Sequence, residues 1–309
     1  MRADGSIISS MPGDALPYEH GVSAFIVSSR DAPGKGWALG SDGTIEPVGA
    51  AAMKVLSADE IRDVLVLDTK SAILGCVPGP DDECIAEQLD LDSGSLRTLF
   101  SAQFDACMGC PPSITSLDAS RDLQTVWFRE LPRDSGGSVV TVDLRTGHLT
   151  RRALPIAILG AQSFGISRDG KWFAGEEYAG VDSTKLITFH MHVVALDSAV
   201  DSDVQGIAPY TLEPGRTVAF SPDTTKVMWW GGLEGGSVTY EVNVAVLGHP
   251  GKNVYGQGSE SAGFLGTVVW LDSSRLVARN GTGSFTIDIA SGAIVTFPDG
   301  APAIIDVLD

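Results

Sequence analysis

The feature that most constrains the fold of this chain is a unit that recurs along its 309 residues. Each copy has a strand rich in β-branched and aromatic residues, a short polar turn with Asp, and a second such strand. The clearest copies start SFGISRDGKWFAGEEYAG at residue 163, TVAFSPDTTKVMWWGG at 217 and TVVWLDSSRLVARN at 267. Repeats of about 40 to 50 residues are typical of β-propellers and related arrays.

A second turn recurs later in each unit and indicates how many units there are. Its copies are LDLDSGSL (89 to 96), VDLRTGHL (142 to 149), IDIASGAI (287 to 294), the degenerate LDSAVDSD (196 to 203) and VLGHPGKN (246 to 253), and the weaker GSDGTI (40 to 45). Glycine adopts the left-handed conformation of such turns at little cost. We therefore predict an all-β chain, a single β-propeller of six four-stranded blades closed by a terminal strand, with seven blades as the alternative.

The repeat also predicts where the inner strands lie. They are expected near 63 to 68, 113 to 118, 163 to 167, 217 to 221 and 267 to 272. One domain is expected over 1–309, with 1–20 as a flexible N-terminal segment. The C-terminal PAIIDVLD (302–309) is expected to close the ring beside 24 to 29, with GSIISS near the N-terminus as the alternative.

A helical turn competes with extended structure only in residues 48 to 64. Ser57 followed by Glu60 resembles a capping box there. We interpret this stretch as a connection between blades.

The turn sequences resemble the propeller repeats of the TolB and WD-like family, whose core is F-S-P-D-G-K. The matching positions are Phe220, Ser221, Pro222, Asp223 and Lys226 in one copy, and Ser167, Asp169, Gly170 and Lys171 in another. The resemblance covers roughly 160 to 297. It implies a propeller that binds partners through its loops and a central channel, and it implies no particular reaction.

Loops between the second and third strands of the blades should share one rim in this topology, and acidic residues dominate them. The candidate ligand- or partner-binding residues are Asp81, Asp82, Glu130, Asp134, Glu176, Glu177, Tyr178, Asp182 and Glu234. Such a rim suits a cation, an amine or a basic protein surface. The alternative is that the exposed loops of an acidic protein are simply acidic.

Four cysteines form the most specific local feature. Cys76 and Cys84 flank the blade 2 loop, and Cys107 and Cys110 lie in DACMGCPP. Two disulfides, Cys76 with Cys84 and Cys107 with Cys110, would indicate an oxidising, extracytoplasmic compartment, periplasmic or secreted. A four-thiolate zinc site and unpaired thiols remain alternatives. The start of the sequence has no apolar stretch typical of a secretory signal.

Metal-binding patterns are weak. His190 and His192 lie two apart on a predicted strand and so share a face, which suits packing better than metal binding. Asp201 and Asp203 resemble the start of a calcium loop, but Leu212 stands where a bidentate Glu is required. No cofactor is expected, and a structural or channel-bound calcium or other ion is the alternative.

The net charge of −18 argues against nucleic acid as a partner, because phosphate binding needs a basic stripe. No membrane span is predicted, and we expect a monomer. The sequence lacks G-x-S-x-G, H-E-x-x-H and Gly-rich phosphate-binding motifs. A non-catalytic binding or scaffolding propeller for a protein or small-molecule ligand is therefore favoured. The alternative is a propeller hydrolase or lyase with a metal or acid–base pair in the central channel.

Overall fold

The computed structural model of the chain describes fourteen segments. They are residues 15–17, 24–29, 34–58, 63–80, 83–103, 114–131, 137–154, 164–181, 187–197, 201–208, 218–233, 239–258, 267–280 and 283–297. Within them lie six antiparallel four-stranded sheets and one helix. The structure divides into two compact units, one ending at Leu154 and the other beginning at Pro155, and each contains three sheets.

The first unit contains blades 1 to 3, numbered in chain order. Blade 1 has β1 (Ala15–Pro17), β2 (Ala24–Ser29), β3 (Gly36–Gly40) and β4 (Ile45–Val48). Blade 2 has β5 (Val64–Val66), β6 (Ser71–Pro78), β7 (Glu83–Asp90) and β8 (Leu96–Gln103). Blade 3 has β9 (Ile114–Ala119), β10 (Thr125–Glu130), β11 (Ser138–Asp143) and β12 (Leu149–Ala153).

The second unit contains blades 4 to 6. Blade 4 has β13 (Phe164–Ile166), β14 (Trp172–Val181), β15 (Ile187–Ala195) and β16 (Asp201–Ala208). Blade 5 has β17 (Val218–Phe220), β18 (Lys226–Leu233), β19 (Thr239–Val246) and β20 (Lys252–Gly258). Blade 6 has β21 (Thr267–Asp272), β22 (Arg275–Asn280), β23 (Gly283–Asp288) and β24 (Ile294–Thr296).

Strand order confirms the predicted fold class, a β-propeller with six four-stranded blades. In every sheet the four strands follow one another along the chain, and β5, β9, β13, β17 and β21 begin within about one residue of the predicted inner strands. Strand β1 fills the position beside 24–29 that was assigned to the C-terminal residues. Residues 302–309 lie outside the described segments, so their closing role stays a prediction.

One helix, α1 (Ala50–Leu56), follows blade 1. Its three consecutive alanines favour a helix, and Ala52, Met53 and Leu56 are buried. Gly49 precedes the helix, and a Cβ there would overlap the Asp92 carbonyl oxygen. Ser57 is the C-cap of α1, and residues 59–62, including Glu60 of the capping-box pattern, lie outside the described residues.

Each unit has its own core between neighbouring blades. In the first unit, Phe100 of blade 2 and Phe128 of blade 3 meet edge to face with ring centroids 5.1 Å apart. In the second unit, Trp229 packs into the cluster between blades 4 and 5, whereas the adjacent Trp230 packs against the cluster between blades 5 and 6. Consecutive strand residues point to opposite faces, so a blade buried on both faces can accommodate both rings.

The repeated turns share a left-handed residue. In the later turns Gly94, Gly147 and Gly292 have φ between 71° and 75°, as predicted from the glycine there. In the Asp turns, Gly170 adopts this left-handed conformation. Thr224, at the corresponding position of another copy, adopts it with φ of 57°. A threonine is strained in this region, so side-chain hydrogen bonds must hold that turn in place.

Candidate functional site

The hairpin β14–β15 of blade 4 carries the acidic residues predicted to bind a partner. Among the described residues, which resume at Phe164, strand β13 pairs with β14 as far as Gly175, and β14 continues to Val181, paired with β15. Glu176, Glu177 and Tyr178 are therefore strand residues, and their assignment to a loop was wrong. A register shift after Tyr178 lets the two strands stay paired. The acidic segment thus lies beyond the last described pairing with β13.

Five other candidates fall in the connections at the same ends of the blades, which are called loop ends here. Asp81, Asp82, Asp134, Asp182 and Glu234 all lie outside the described residues. Their membership of a common binding surface stays a prediction.

Glu130, the remaining candidate, is held inside blade 3. It ends β10, it is 7% exposed, and its register partner Ser138 donates a hydrogen bond of 3.0 Å to its carboxylate. Arg151 on β12 donates two further bonds, from Nε at 2.8 Å and from Nη2 at 3.1 Å. The hydrogen bond to Glu130 raises the pKa of the Arg151 guanidinium. The Glu130 charge is therefore neutralised within its own blade.

A buried carboxylate that the sequence analysis missed links blades 2 and 3. Asp63 precedes β5 and is 7% exposed; its two oxygens accept from the Ser116 N–H at 2.5 Å and the Ser116 hydroxyl at 3.0 Å. A Cβ at Gly75 would overlap this carboxylate, so glycine makes room for it. A signal was present: Asp63 stands where other inner strands are preceded by Ser113, Ser163 and Thr217.

The disulfide predicted between Cys76 and Cys84 is confirmed. It joins β6 to β7 at a register shift between Leu74 and Val77, and both cysteines pack against the core shared by blades 2 and 3. Because Cys76 and Cys84 are bonded to each other, they are not available as thiolates for the predicted alternative, a four-thiolate zinc site. Cys107 and Cys110 lie outside the described residues. Because Gly75 contacts Asp63 and the next residue forms the disulfide, one irregular stretch of β6 is anchored twice.

The opposite ends of the blades, called turn ends here, carry carboxylates bonded within their own turns. In blade 5 the Ser221 hydroxyl donates to Asp223 at 2.6 Å and accepts from the Lys226 N–H at 3.0 Å. The same pattern recurs at Ser120 with Asp122 and Thr125, and at Ser167 with Asp169 and Trp172. The Asp of the repeat is therefore a fold determinant.

Hydrogen bonding changes the acidity of these turn carboxylates. Burial raises the pKa of Asp223, but bonds from Ser221 and Thr225 outweigh it and hold that pKa far below its usual range. In blade 6, burial is likewise outweighed by bonds from Ser274 and Arg275, which lower the pKa of Asp272 to about 2. Both groups stay ionised down to acidic pH.

Two cavities lie in the first unit, between β8 of blade 2 and the turn ends of blade 3. They measure about 170 and 380 Å³, and Arg97 and Arg145 line both of them. Arg97 is fixed by a bond of 2.8 Å from its Nη2 to the Leu144 carbonyl oxygen. The larger cavity also contacts Asp68 and Asp122, so its lining carries both signs of charge.

Metal and membrane signals are weak in the described segments. No group of three His, Cys, Asp or Glu side chains there is arranged to hold a metal ion. His190 and His192 both lie on β15, and His192 is buried. Asp201 and Asp203 belong to strand β16 rather than to a calcium loop. No helix in the described residues is long and apolar enough to span a bilayer.

Comparison with known proteins identifies similar folds but no matching family. No protein-family model and no curated protein matches the chain. Among solved structures, the β-propeller domain of the Trilobed protease from Pyrococcus furiosus matches 93% of this chain and 84% of its own length, at 9% identity and a TM-score of 0.51. A puromycin hydrolase matches 81% of this chain, at 13% identity and a TM-score of 0.52. TolB from Acinetobacter baumannii matches 82%, at 14% identity and a TM-score of 0.49.

The matches to the Trilobed protease domain and to the puromycin hydrolase confirm the predicted β-propeller fold. The chain spans 56% of that TolB and 40% of the puromycin hydrolase. At such identities a shared fold carries no reaction with it, because function resides in sites built on the fold.

Proposed function

We propose that the chain is a non-catalytic binding propeller that engages a basic protein, or a small cationic ligand, through the loop ends of its blades. The observation that carries the proposal is the extended β14–β15 hairpin, where Glu176 and Glu177 follow directly after the last pairing with β13. The two adjacent acids lie on the paired β14–β15 hairpin, beyond its last described pairing with β13. Together with a net charge of −18, they favour the approach of a cationic partner.

Two described acids at other loop ends, Glu130 and Asp63, are bonded within the structure. Glu130 is neutralised by Arg151, and Asp63 is occupied by Ser116. A general acid or base has to exchange a proton with substrate near the working pH, and both carboxylates are committed to structural bonds instead. Glu130 is therefore left out of the proposed contact residues.

The Cys76–Cys84 disulfide supports an extracytoplasmic location, since such bonds persist in oxidising compartments. A monomer that meets its partner there is the simplest form of the proposal. No cofactor is required for binding of this kind.

A double variant tests the proposed surface. We expect Glu176→Gln together with Glu177→Gln to weaken capture of the partner in a pull-down with the full chain by at least about fivefold, with reduced salt dependence. Asp197→Lys is the matched control, because it shifts the net charge by the same +2 and Asp197 is exposed just beyond the other end of β15. Equal loss in both variants would indicate a general charge effect, and no loss in the double variant would refute the hairpin as the site.

The second candidate is a propeller enzyme, a hydrolase or lyase with a metal or an acid–base pair. The fold also occurs in a puromycin hydrolase and in a domain of the Trilobed protease, so the fold accommodates this candidate without arguing for it. Elemental analysis of the purified chain, followed by assays with peptide and ester substrates with and without added calcium or zinc, separates the two candidates. Turnover that chelation abolishes would replace the binding proposal.

A further inference from the structure

The outer strands of the six blades differ in how their free edges are protected. Charged residues or proline on an edge strand discourage pairing with another chain. Five outer strands contain such residues: Glu46 and Pro47 in β4, Arg97 in β8, Arg151 and Arg152 in β12, Asp201 and Asp203 in β16, and Lys252 in β20. Strand β24 has the sequence Ile-Val-Thr and contains neither a charge nor a proline.

Strand β24 also exposes the most apolar surface. Ile294 is 50% exposed and Val295 is 66% exposed, which are the two highest values among large apolar side chains of the described segments. They are adjacent in sequence, whereas the other exposed ones, Ile45, Leu96 and Val246, are isolated. Single exposed apolar residues are ordinary, but an adjacent pair on an uncharged edge is a recognition feature.

The hydrogen bonds of blade 6 show which backbone groups of β24 are free to pair. The Phe297 N–H donates to the Ser284 carbonyl oxygen, and the Ala293 carbonyl oxygen accepts from the Asp288 N–H, both at 2.9 Å. Because bonding direction alternates along an antiparallel strand, residues 293, 295 and 297 bond to β23. The N–H and C=O groups of Ile294 and Thr296 then point away from the sheet. Among the described strands β24 pairs only with β23.

We propose that this edge binds an extended apolar peptide segment with basic flanks, which adds as a fifth strand to blade 6. Backbone bonds to Ile294 and Thr296 would supply affinity, and Ile294 and Val295 would contact side chains on the two opposite faces of the incoming strand. The net charge of −18 favours a peptide with basic flanking residues, because it attracts a basic segment and repels a second copy of this chain. This surface is separate from the β14–β15 hairpin, so either proposal can fail without the other.

The test uses the full chain and a defined probe. A fluorescein-labelled peptide, Lys-Lys-Thr-Val-Thr-Val-Thr-Lys-Lys, is titrated by fluorescence anisotropy, alongside a version with glutamates in place of the lysines. We expect the basic peptide to bind at least about tenfold more tightly than the acidic one at low salt. Hydrogen exchange should slow at the Ile294 and Thr296 amides, which point outward, when the basic peptide is bound.

Two variants are designed to block strand pairing at the β24 edge, and a third controls for the added charge. Val295→Lys adds a charge to the strand, and Thr296→Pro removes an outward N–H without breaking a bond to β23. Each should weaken the basic peptide at least about tenfold. Val246→Lys adds the same charge at another exposed valine, 47% exposed on β19, and should bind as the wild type does.

Several results would overturn the proposal. They are unchanged binding in both β24 variants, equal binding of the acidic and basic peptides, and no binding of the basic peptide at millimolar concentration. Self-association detected by sedimentation and lost in Val295→Lys would instead identify a second copy as the occupant. Circular dichroism of each variant verifies that the chain stays folded.

Discussion

The two ends of the blades are held together by different kinds of contact. At the turn ends, Asp122, Asp169 and Asp223 repeat one hydrogen-bond pattern in three blades, and each pattern spans only a few residues. At the loop ends of blades 2 and 3, the contacts occur once each: Asp63 bonds to Ser116, 53 residues away, and Cys76 bonds to Cys84.

The difference teaches that the acidity of this chain has more than one cause. Carboxylates at the turn ends fix hairpin turns and recur because the hairpin recurs. At the loop ends, Asp63 bridges to Ser116 and Glu130 pairs with Arg151, and neither contact has a counterpart in the repeat. A substitution at a loop end should therefore cost more stability than one at a turn end, because it leaves buried partners unsatisfied.

The largest effect is expected at the bridge between blades 2 and 3. Asp63→Ala should lower the free energy of unfolding by about 3 kcal/mol, because it leaves the Ser116 N–H and hydroxyl buried without their acceptor. Urea denaturation measures it as a lower midpoint with an unchanged slope. Ser116→Ala, which removes only the hydroxyl bond, is the control and should cost about 1 kcal/mol. Equal costs for the two would show that the carboxylate does not bridge the blades as described.

The next effect concerns the disulfide on β6 and β7. Replacing Cys76 and Cys84 together by serine should cost about 2 to 3 kcal/mol, because the bond restricts a short loop in the unfolded chain. The loss is measured by thermal unfolding, and reductant should lower the midpoint of the wild type but not that of the variant. A variant as stable as the oxidised wild type would remove the disulfide from the set of loop-end anchors.

The smallest effect is expected at a turn end. Asp272→Asn should cost about 1 kcal/mol at neutral pH, through weaker bonds to Ser274 and Arg275. The pKa of Asp272 is lowered to about 2 in the folded chain, so its contribution is complete above about pH 4 and is lost as pH falls towards 2. The variant should therefore lose less stability than the wild type across that window. Identical acid profiles of the variant and the wild type would contradict the lowered pKa of Asp272.

Much of the fold could be predicted from sequence because its signals are local. An Asp turn with flanking β-branched strands is recognisable within a few residues, and six copies define six sheets. The cysteine pair was predictable for the same reason, since Cys76 and Cys84 bracket a single hairpin. Helix α1 was missed because only three alanines and a buried Met53 distinguish it from a connection.

The site was less predictable, because its residues are defined by partners distant in sequence. From the sequence, Glu130 is predicted to be an exposed loop acid. In the structure, β12 places Arg151 against it. Glu176 and Glu177 read as loop residues until the pairing of β14 with β15 extends past them.

By itself the sequence determined that the chain is all-β, that it is built from six repeated four-stranded sheets, and that its turns are fixed by aspartate. Only the tertiary structure decided which carboxylates form structural hydrogen bonds and how exposed the uncharged β24 edge is. The physical reason is range: turn bonds form between near neighbours in the chain, whereas the Asp63 bridge, the Glu130 ion pair and the bare β24 edge exist only once sheets are assembled.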